Sequence, residues 1–247
     1  MDPVLCRGQI HVWTLKLDDV RSSFRSFDIL STSERERARR IKDNALRYRW
    51  MTARAALRTI LSRYTAEDPA GLRLGYTDAG KPFLENRGVS DLSFSISHSD
   101  NIATVALTVG QPIGIDIEHV RRVPEQDRIT QEYFCHHEQV FLLGLPPQMR
   151  AEAFFKLWTC KEACLKAIGT GLGTSLATFE VAIDRGDSIT IVSVDGNKEI
   201  AKQWFVSSFV PEREYLGAVA LRCSIAPEIQ RFAFWSELGD SDSQSGM

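Results

Sequence analysis

Three short runs follow one another and limit what this chain can fold into: LSFSISHS (92–99), IATVALTV (102–109) and PIGIDIE (112–118). In the first, Leu92, Phe94, Ile96 and His98 alternate with four serines, and a period of two sends the two sets to opposite faces of a strand. The turn Ser-Asp-Asn then makes the first two runs a hairpin. In the third run Ile113, Ile115 and Ile117 share one face, while Gly114, Asp116 and Glu118 share the other. Ionised groups on an otherwise apolar strand are costly unless something pairs with them. Upstream, DAGKPFL (78–84) has turn chemistry at Gly80 and Pro82.

A chain of 247 residues, 43% apolar and 25% charged, is ordinary globular material, one large domain or two moderate ones. No apolar run approaches a membrane span, and the first residues lack the pattern of a signal peptide. Five cysteines, without regular pairing, point to free thiols and a cytoplasmic location. Net charge is only −2, but residues 34–63 hold ten Lys/Arg against three Asp/Glu. Leu46, Trp50, Ala53, Leu57, Ile60 and Leu61 recur there at helical spacing, so an amphipathic helix or helix pair carries an arginine-rich side. It reads as an anion-binding face before a merely solvated one. The balanced overall charge and the absence of a nucleic-acid motif favour a small polyphosphate or an acidic protein over nucleic acid.

The segment AFFKLWTCKEACLKAIGTGLG (153–173) is a helix ending at Gly169, with Trp158, Glu162 and Lys166 along one stripe. Glu162 and Lys166 stand in the favourable orientation of a helical ion pair. Alternatively, Glu162 joins Asp116 and Glu118, whose side chains start roughly 6–7 Å apart on their strand, around a hard cation, with Gly114 leaving space for a bulky ligand. Strands follow at TFEVAI, SITIVSV, KQWFVSSFV and YLGAVAL. Alone, His98 reads as a structural histidine and Lys81 as a surface lysine.

Taken together, GIDIE followed by WTCKEACLK, with GKP and SISHS upstream in that order, resembles the signature of the 4′-phosphopantetheinyl transferases, in their long, monomeric branch. The resemblance runs from about residue 34 to about residue 172. It implies transfer of phosphopantetheine from coenzyme A to a serine of an apo acyl- or peptidyl-carrier protein, releasing 3′,5′-ADP. By the same resemblance Asp116, Glu118 and Glu162 hold Mg²⁺ (or Mn²⁺), and Lys166 and His98 act on the phosphoryl groups. Ser97, Lys81, Lys161, Arg37 and Arg49 join the coenzyme A contacts. Glu162 is the preferred base for the serine proton, and Glu138 the alternative. The implied fold is α+β: two similar halves, each a small antiparallel sheet packed with helices, around an active-site cleft. The halves are expected at 1–111 and 112–238, with a disordered tail at 239–247. Neither nucleic acid nor a membrane is an expected partner. Two other readings stay open: a silent binder of coenzyme A or carrier protein, and a metal-dependent nuclease. The second is disfavoured because Val120 stands where such enzymes place a lysine.

Overall fold

The structure is a computed structural model and describes residues 3–18, 27–85, 91–169, 175–184 and 188–234. The expected tail at 239–247 lies outside them. The arginine-rich region is a helix pair. Ser31 caps α1 (Thr32–Arg40) in a reciprocal capping box with Glu34, and Asp43 caps α2 (Asn44–Thr65) through Leu46 N. Arg58 of α2 is buried and spends its charge within the fold: its Nε meets Glu34 at 2.7 Å and its Nη1 donates to the carbonyls of Pro69 and Leu72. This residue fixes α1 on α2 and adds nothing to an anion-binding surface.

The strands β1 (Gln9–Lys16), β4 (Leu92–Ser99) and β5 (Ile102–Val109) form one sheet with β11 (Glu228–Ala233), in the order β11-β1-β5-β4. β1 pairs with β11 in parallel and with β5 antiparallel. A second, antiparallel sheet contains β6 (Ile113–His119), β9 (Trp204–Phe209) and β10 (Tyr215–Arg222), with β10 in the centre. Two small hairpins complete the strands, β2 (Leu74–Tyr76) with β3 (Pro82–Leu84) and β7 (Phe179–Ile183) with β8 (Ile189–Val194). The remaining helices are α3 (Gln126–Tyr133), α4 (His136–Gly144), α5 (Pro147–Ile168) and α6 (Lys198–Ala201). Among the described residues no helix is long and apolar enough to cross a membrane.

Each sheet carries one helix of 22 residues. Leu57, Ile60 and Leu61 of α2 pack with Trp13, Val105 and Leu107 of the first sheet. Leu157, Cys160 and Cys164 of α5 pack with Ala218 and Ala220 of the second. The sheets meet through Ile10, Val12 and Ala106 on one side and Ile113, Ile115 and Val219 on the other. The fold is thus α+β, with its core split into helix-on-sheet layers joined sheet to sheet.

Where β4 and β6 adjoin, serine hydroxyls hold the two edges together. Ser95 Oγ accepts from Ile115 N (3.2 Å), Ser97 Oγ donates to Asp116 (2.8 Å), and Ser99 Oγ donates to Glu118 (2.8 Å) while accepting from His119 N. α5 lies on the face of β6 that carries Gly114, Asp116 and Glu118, and Gly114 is the contact point. A Cβ there would stand 1.9 Å from the carbonyl oxygen of Ala163 and 2.5 Å from Ala167 N. The sequence expectation that Gly114 leaves room for a ligand is therefore corrected, because helix backbone fills that room.

Main-chain atoms cannot rotate aside as a side chain can, so Gly114→Ala should exceed the ordinary overpacking cost and lose at least about 3 kcal/mol. A urea midpoint is the measurement. A loss under about 0.5 kcal/mol would show that α5 does not depend on this contact.

Candidate active site

A cleft of about 440 Å³ opens beside the β4–β6 seam and is lined by side chains from both sheets and both long helices. Asp116 and Glu118 come from β6, Glu162 and Lys166 from α5, Ser97 and His98 from β4, and Trp50 and Arg54 from α2. The alternation read from the sequence delivers the β4 and β6 residues. On α5 the i, i+4, i+8 spacing brings Trp158, Glu162 and Lys166 to the same wall.

Asp116 is 5% exposed, and its Oδ1 accepts from Lys166 Nζ at 2.6 Å and from Ser97 Oγ at 2.8 Å. Lys166 Nζ also donates to Ser97 Oγ at 3.0 Å. Lys166 therefore turns across the cleft to Asp116, not along its helix to Glu162. The Oδ2 of Asp116 is buried without a hydrogen-bond partner. Burial pushes the Glu162 carboxyl up, and the charges of Asp116 and Glu118 push it further against the pull of Lys166. Glu118 is likewise raised, first by burial and then by Asp116, while Ser99 and Arg121 oppose.

Among the described residues no three His, Cys, Asp or Glu side chains are gathered as placed to hold an ion together. The chemistry of the set nevertheless fits a hard divalent cation. Three carboxylates face one cleft, the charge of Asp116 raising the affinity of Glu162 and Glu118 for protons, and one buried carboxylate oxygen lacks a partner. Oxygen-only donors of this kind suit Mg²⁺ and Mn²⁺.

The basic residues sort differently from the sequence expectation. Arg49 is held by Asp18 in a two-pronged pair, Nε at 2.8 Å and Nη2 at 2.6 Å, and that bond raises its pKa. Arg37 lies over Trp50 and Tyr76, 5.9 and 6.0 Å from the ring centres. Arg54 lies over the same rings at 5.3 and 5.6 Å. Its Nη1 is buried and unpartnered, and burial lowers its pKa. Sequence reading missed Arg54, although Trp50 and Arg54 are one turn apart, a spacing that lets a guanidinium cover an indole. The Lys81 ammonium is committed to the carbonyls of Ile113 (2.8 Å) and Lys166 (2.6 Å), with its pKa drawn down to about 8 by burial and by the Lys166 charge. Lys81 clamps the end of α5 to the start of β6.

Glu138 and Lys161 are corrected. They form a fully buried pair at 2.7 Å and are not among the side chains lining the cleft. Lys161 also donates to the carbonyls of Leu176 (3.0 Å) and Phe179 (2.6 Å), and Glu138 accepts from the backbone of Cys135 and Val181. The pair ties α4, α5 and β7 together. A buried glutamate saturated in this way has no access to a substrate hydroxyl.

Residues 112–220 match the family model of the 4′-phosphopantetheinyl transferase superfamily. A 4′-phosphopantetheinyl transferase HetI of Nostoc sp. is 32% identical over 88% of this chain and 89% of its own length. A 4′-phosphopantetheinyl transferase of Bacillus subtilis is 29% identical over 81% of this chain and 84% of its own. A solved holo-(acyl-carrier-protein) synthase of Bacillus anthracis aligns with 46% of this chain and 96% of its own at 24% identity and a TM-score of 0.38.

Two measurements follow from these placements. Leaving one member of a buried ion pair alone is costly, so Lys161→Met and Glu138→Leu should each lose about 3 kcal/mol by urea unfolding. The double variant should recover part of that loss, and purely additive losses would mean that the two charges do not depend on each other. In EDTA, the raised Glu162 and Glu118 carboxyls keep protons that the unfolded chain has released. Stability contributed by their protonated forms is present at low pH and lost as pH rises from the ordinary glutamate value of 4.5 through their folded values. Glu162→Gln cannot ionise, so its Tm should gain on the native protein between pH 4 and pH 7 by about 3 °C or more. A Tm difference independent of pH would overturn the raised carboxyl.

Proposed function

The chain belongs to the 4′-phosphopantetheinyl transferase superfamily, and on that premise we propose that its cleft moves the 4′-phosphopantetheine arm of coenzyme A onto a serine hydroxyl of an apo acyl- or peptidyl-carrier protein, releasing 3′,5′-ADP. One observation carries the assignment of the site: Asp116, Glu118, Glu162, Lys166 and His98 line a single cleft together with Arg54. A pyrophosphate joining a nucleotide to an extended arm needs negative charge neutralised along its length and a base near the incoming hydroxyl. This cleft has cationic groups, carboxylates and aromatic rings in that combination.

Asp116, Glu118 and Glu162 would hold Mg²⁺, or Mn²⁺ in its place, which would polarise the phosphoryl oxygen. Arg37 and Arg54, backed by Trp50 and Tyr76, would bind the phosphate at the nucleotide end. A desolvated guanidinium with an unpartnered N–H gains most from an anion. Glu162 would take the proton from the carrier serine. As the serine oxygen bonds to the phosphorus on the pantetheine side, the bond to the bridging oxygen breaks and its electron pair leaves with 3′,5′-ADP. Lys166 and His98 would balance the charge on the transferred and departing groups. Lys81 and Ser97 support this from behind, Lys81 by fixing the end of α5 and Ser97 by orienting Asp116.

The test is intact-mass spectrometry of an apo carrier protein incubated with the full chain, coenzyme A and Mg²⁺. The carrier should gain one phosphopantetheine, and Glu162→Ala should slow that gain at least about 100-fold. Binding of coenzyme A with no mass gain, on carriers from fatty-acid, polyketide and peptide synthesis, would instead identify a silent binder.

A further inference from the structure

We propose that Lys166 is the resident cation of the carboxylate site, so that a divalent ion and the pyrophosphate of coenzyme A bind as a coupled pair, the pyrophosphate drawing Lys166 off Asp116 and the ion freeing Lys166 for the pyrophosphate. The inference rests on the reading above and goes beyond it, because it gives Lys166 a second role that opposes metal binding while the cleft holds no nucleotide.

The geometry is specific. The Lys166 ammonium lies 2.6 Å from Asp116 Oδ1 and 3.0 Å from Ser97 Oγ, and the hydroxyl of Ser97 donates to the same carboxylate oxygen at 2.8 Å. Asp116 is the most buried of the three carboxylates, and its charge acts on Glu162 more strongly than that of Glu118. It is the ligand that an entering cation would gain most by neutralising. Oδ2 of the same carboxylate is unpartnered, but a divalent ion seated there would share one carboxylate with the ammonium on Oδ1, and the two cations repel.

Glu162, one turn earlier on α5, also attracts Lys166, and an entering polyphosphate anion competes with both carboxylates. The Lys81 ammonium is already committed behind Lys166 and repels it, and Arg54 lines the other part of the cleft. The pyrophosphate of coenzyme A is a stronger acceptor than one shared carboxylate oxygen, so it draws Lys166 away and leaves Asp116 open. Linkage then requires the reverse: the metal tightens coenzyme A by the same factor as coenzyme A tightens the metal, commonly 5- to 150-fold, or about that range here. A site filled by its own lysine also disfavours stray cations when no substrate is present.

The experiment is titration of the full chain with Mn²⁺, followed by the electron paramagnetic resonance signal of the free ion, with and without coenzyme A. The native protein should bind Mn²⁺ weakly alone and at least about tenfold more tightly with coenzyme A. Lys166→Met should bind Mn²⁺ alone at least about tenfold more tightly than the native protein, and the coenzyme A effect should shrink by at least about threefold. Arg54→Met removes an equal charge from the same cleft, and in the absence of coenzyme A it should change Mn²⁺ affinity by less than about twofold. Equal gains for Lys166→Met and Arg54→Met would overturn the proposal, as would an unchanged coenzyme A effect in Lys166→Met, since either would reduce the result to general charge. Absence of Mn²⁺ binding in every variant, or binding unaffected by Asp116→Asn, would sink the metal site itself. Carrier mass gain in EDTA would then distinguish a metal-free transferase from failure of the transfer reading.

Discussion

The seam between β4 and β6 is the constraint on which the site depends. The two sheets do not share a backbone ladder there. Side-chain hydroxyls of Ser95, Ser97 and Ser99 hold the edges in register, and two of the three donate directly to the cleft carboxylates. Hydrogen bonds to charged acceptors contribute about 1.5–3 kcal/mol each, more than neutral ones. The bonds that join the sheets are therefore also those that aim Asp116 and Glu118. Serine suits the task because a hydroxyl is short and can donate and accept at once, as Ser99 does with Glu118 and His119. A slip of one residue in either strand would put apolar side chains where the carboxylates stand.

Charge is distributed along the cleft with equal economy. Three arginines of the helix pair are engaged elsewhere: Arg58 inside, Arg49 with Asp18, Arg47 with Asn44. Arg37 and Arg54 are the two that converge on Trp50 and Tyr76. Aromatic faces hold a guanidinium in place without neutralising it, so its attraction for an anion survives. Carboxylates from the second sheet and α5 occupy the other wall. The result is a cleft with a cationic region and an acidic region, suited to a ligand with several phosphates that must also share a metal.

Much of this was legible in the sequence where a period or a motif speaks locally. The alternation in 92–118 predicted the strands and the side on which Asp116 and Glu118 face, and the stripe on α5 predicted Glu162 and Lys166. What failed was whatever depends on a partner distant in the chain. Gly114 looked like space for a ligand because nothing near it in sequence announces that the backbone of α5 will fill that space. Glu138 reads by resemblance as an alternative base, but its partners are Lys161 and the backbone of Cys135 and Val181. Arg49 and Arg54 are indistinguishable by type, and only the position of Asp18, 31 residues before Arg49, separates them. β1 shows no strict alternation, five of its eight residues being buried and the others half-buried, so no period announces it. β11 pairs with β1, Thr14 beside Ala233, across a separation in the chain that no local pattern records.

The motif on α5 can then be understood as two devices on one helix. Lys161 and Glu162 are adjacent in sequence but about 100° apart around the axis, so one is buried against β7 and the other faces the cleft. The Lys161–Glu138 pair fixes the roll of α5 from one side, and the contact of Ala163 and Ala167 with Gly114 fixes it from another. A helix held at only one of these points could rotate by several degrees and still bury its apolar side. Held at both, it must present Glu162 and Lys166 toward Asp116. Charge alone would not secure this, because three like carboxylates repel. The position of the acidic wall is set by backbone contact and by a buried ion pair outside the chemistry, and the repulsion is what any cation in the cleft, the lysine's or a metal's, relieves.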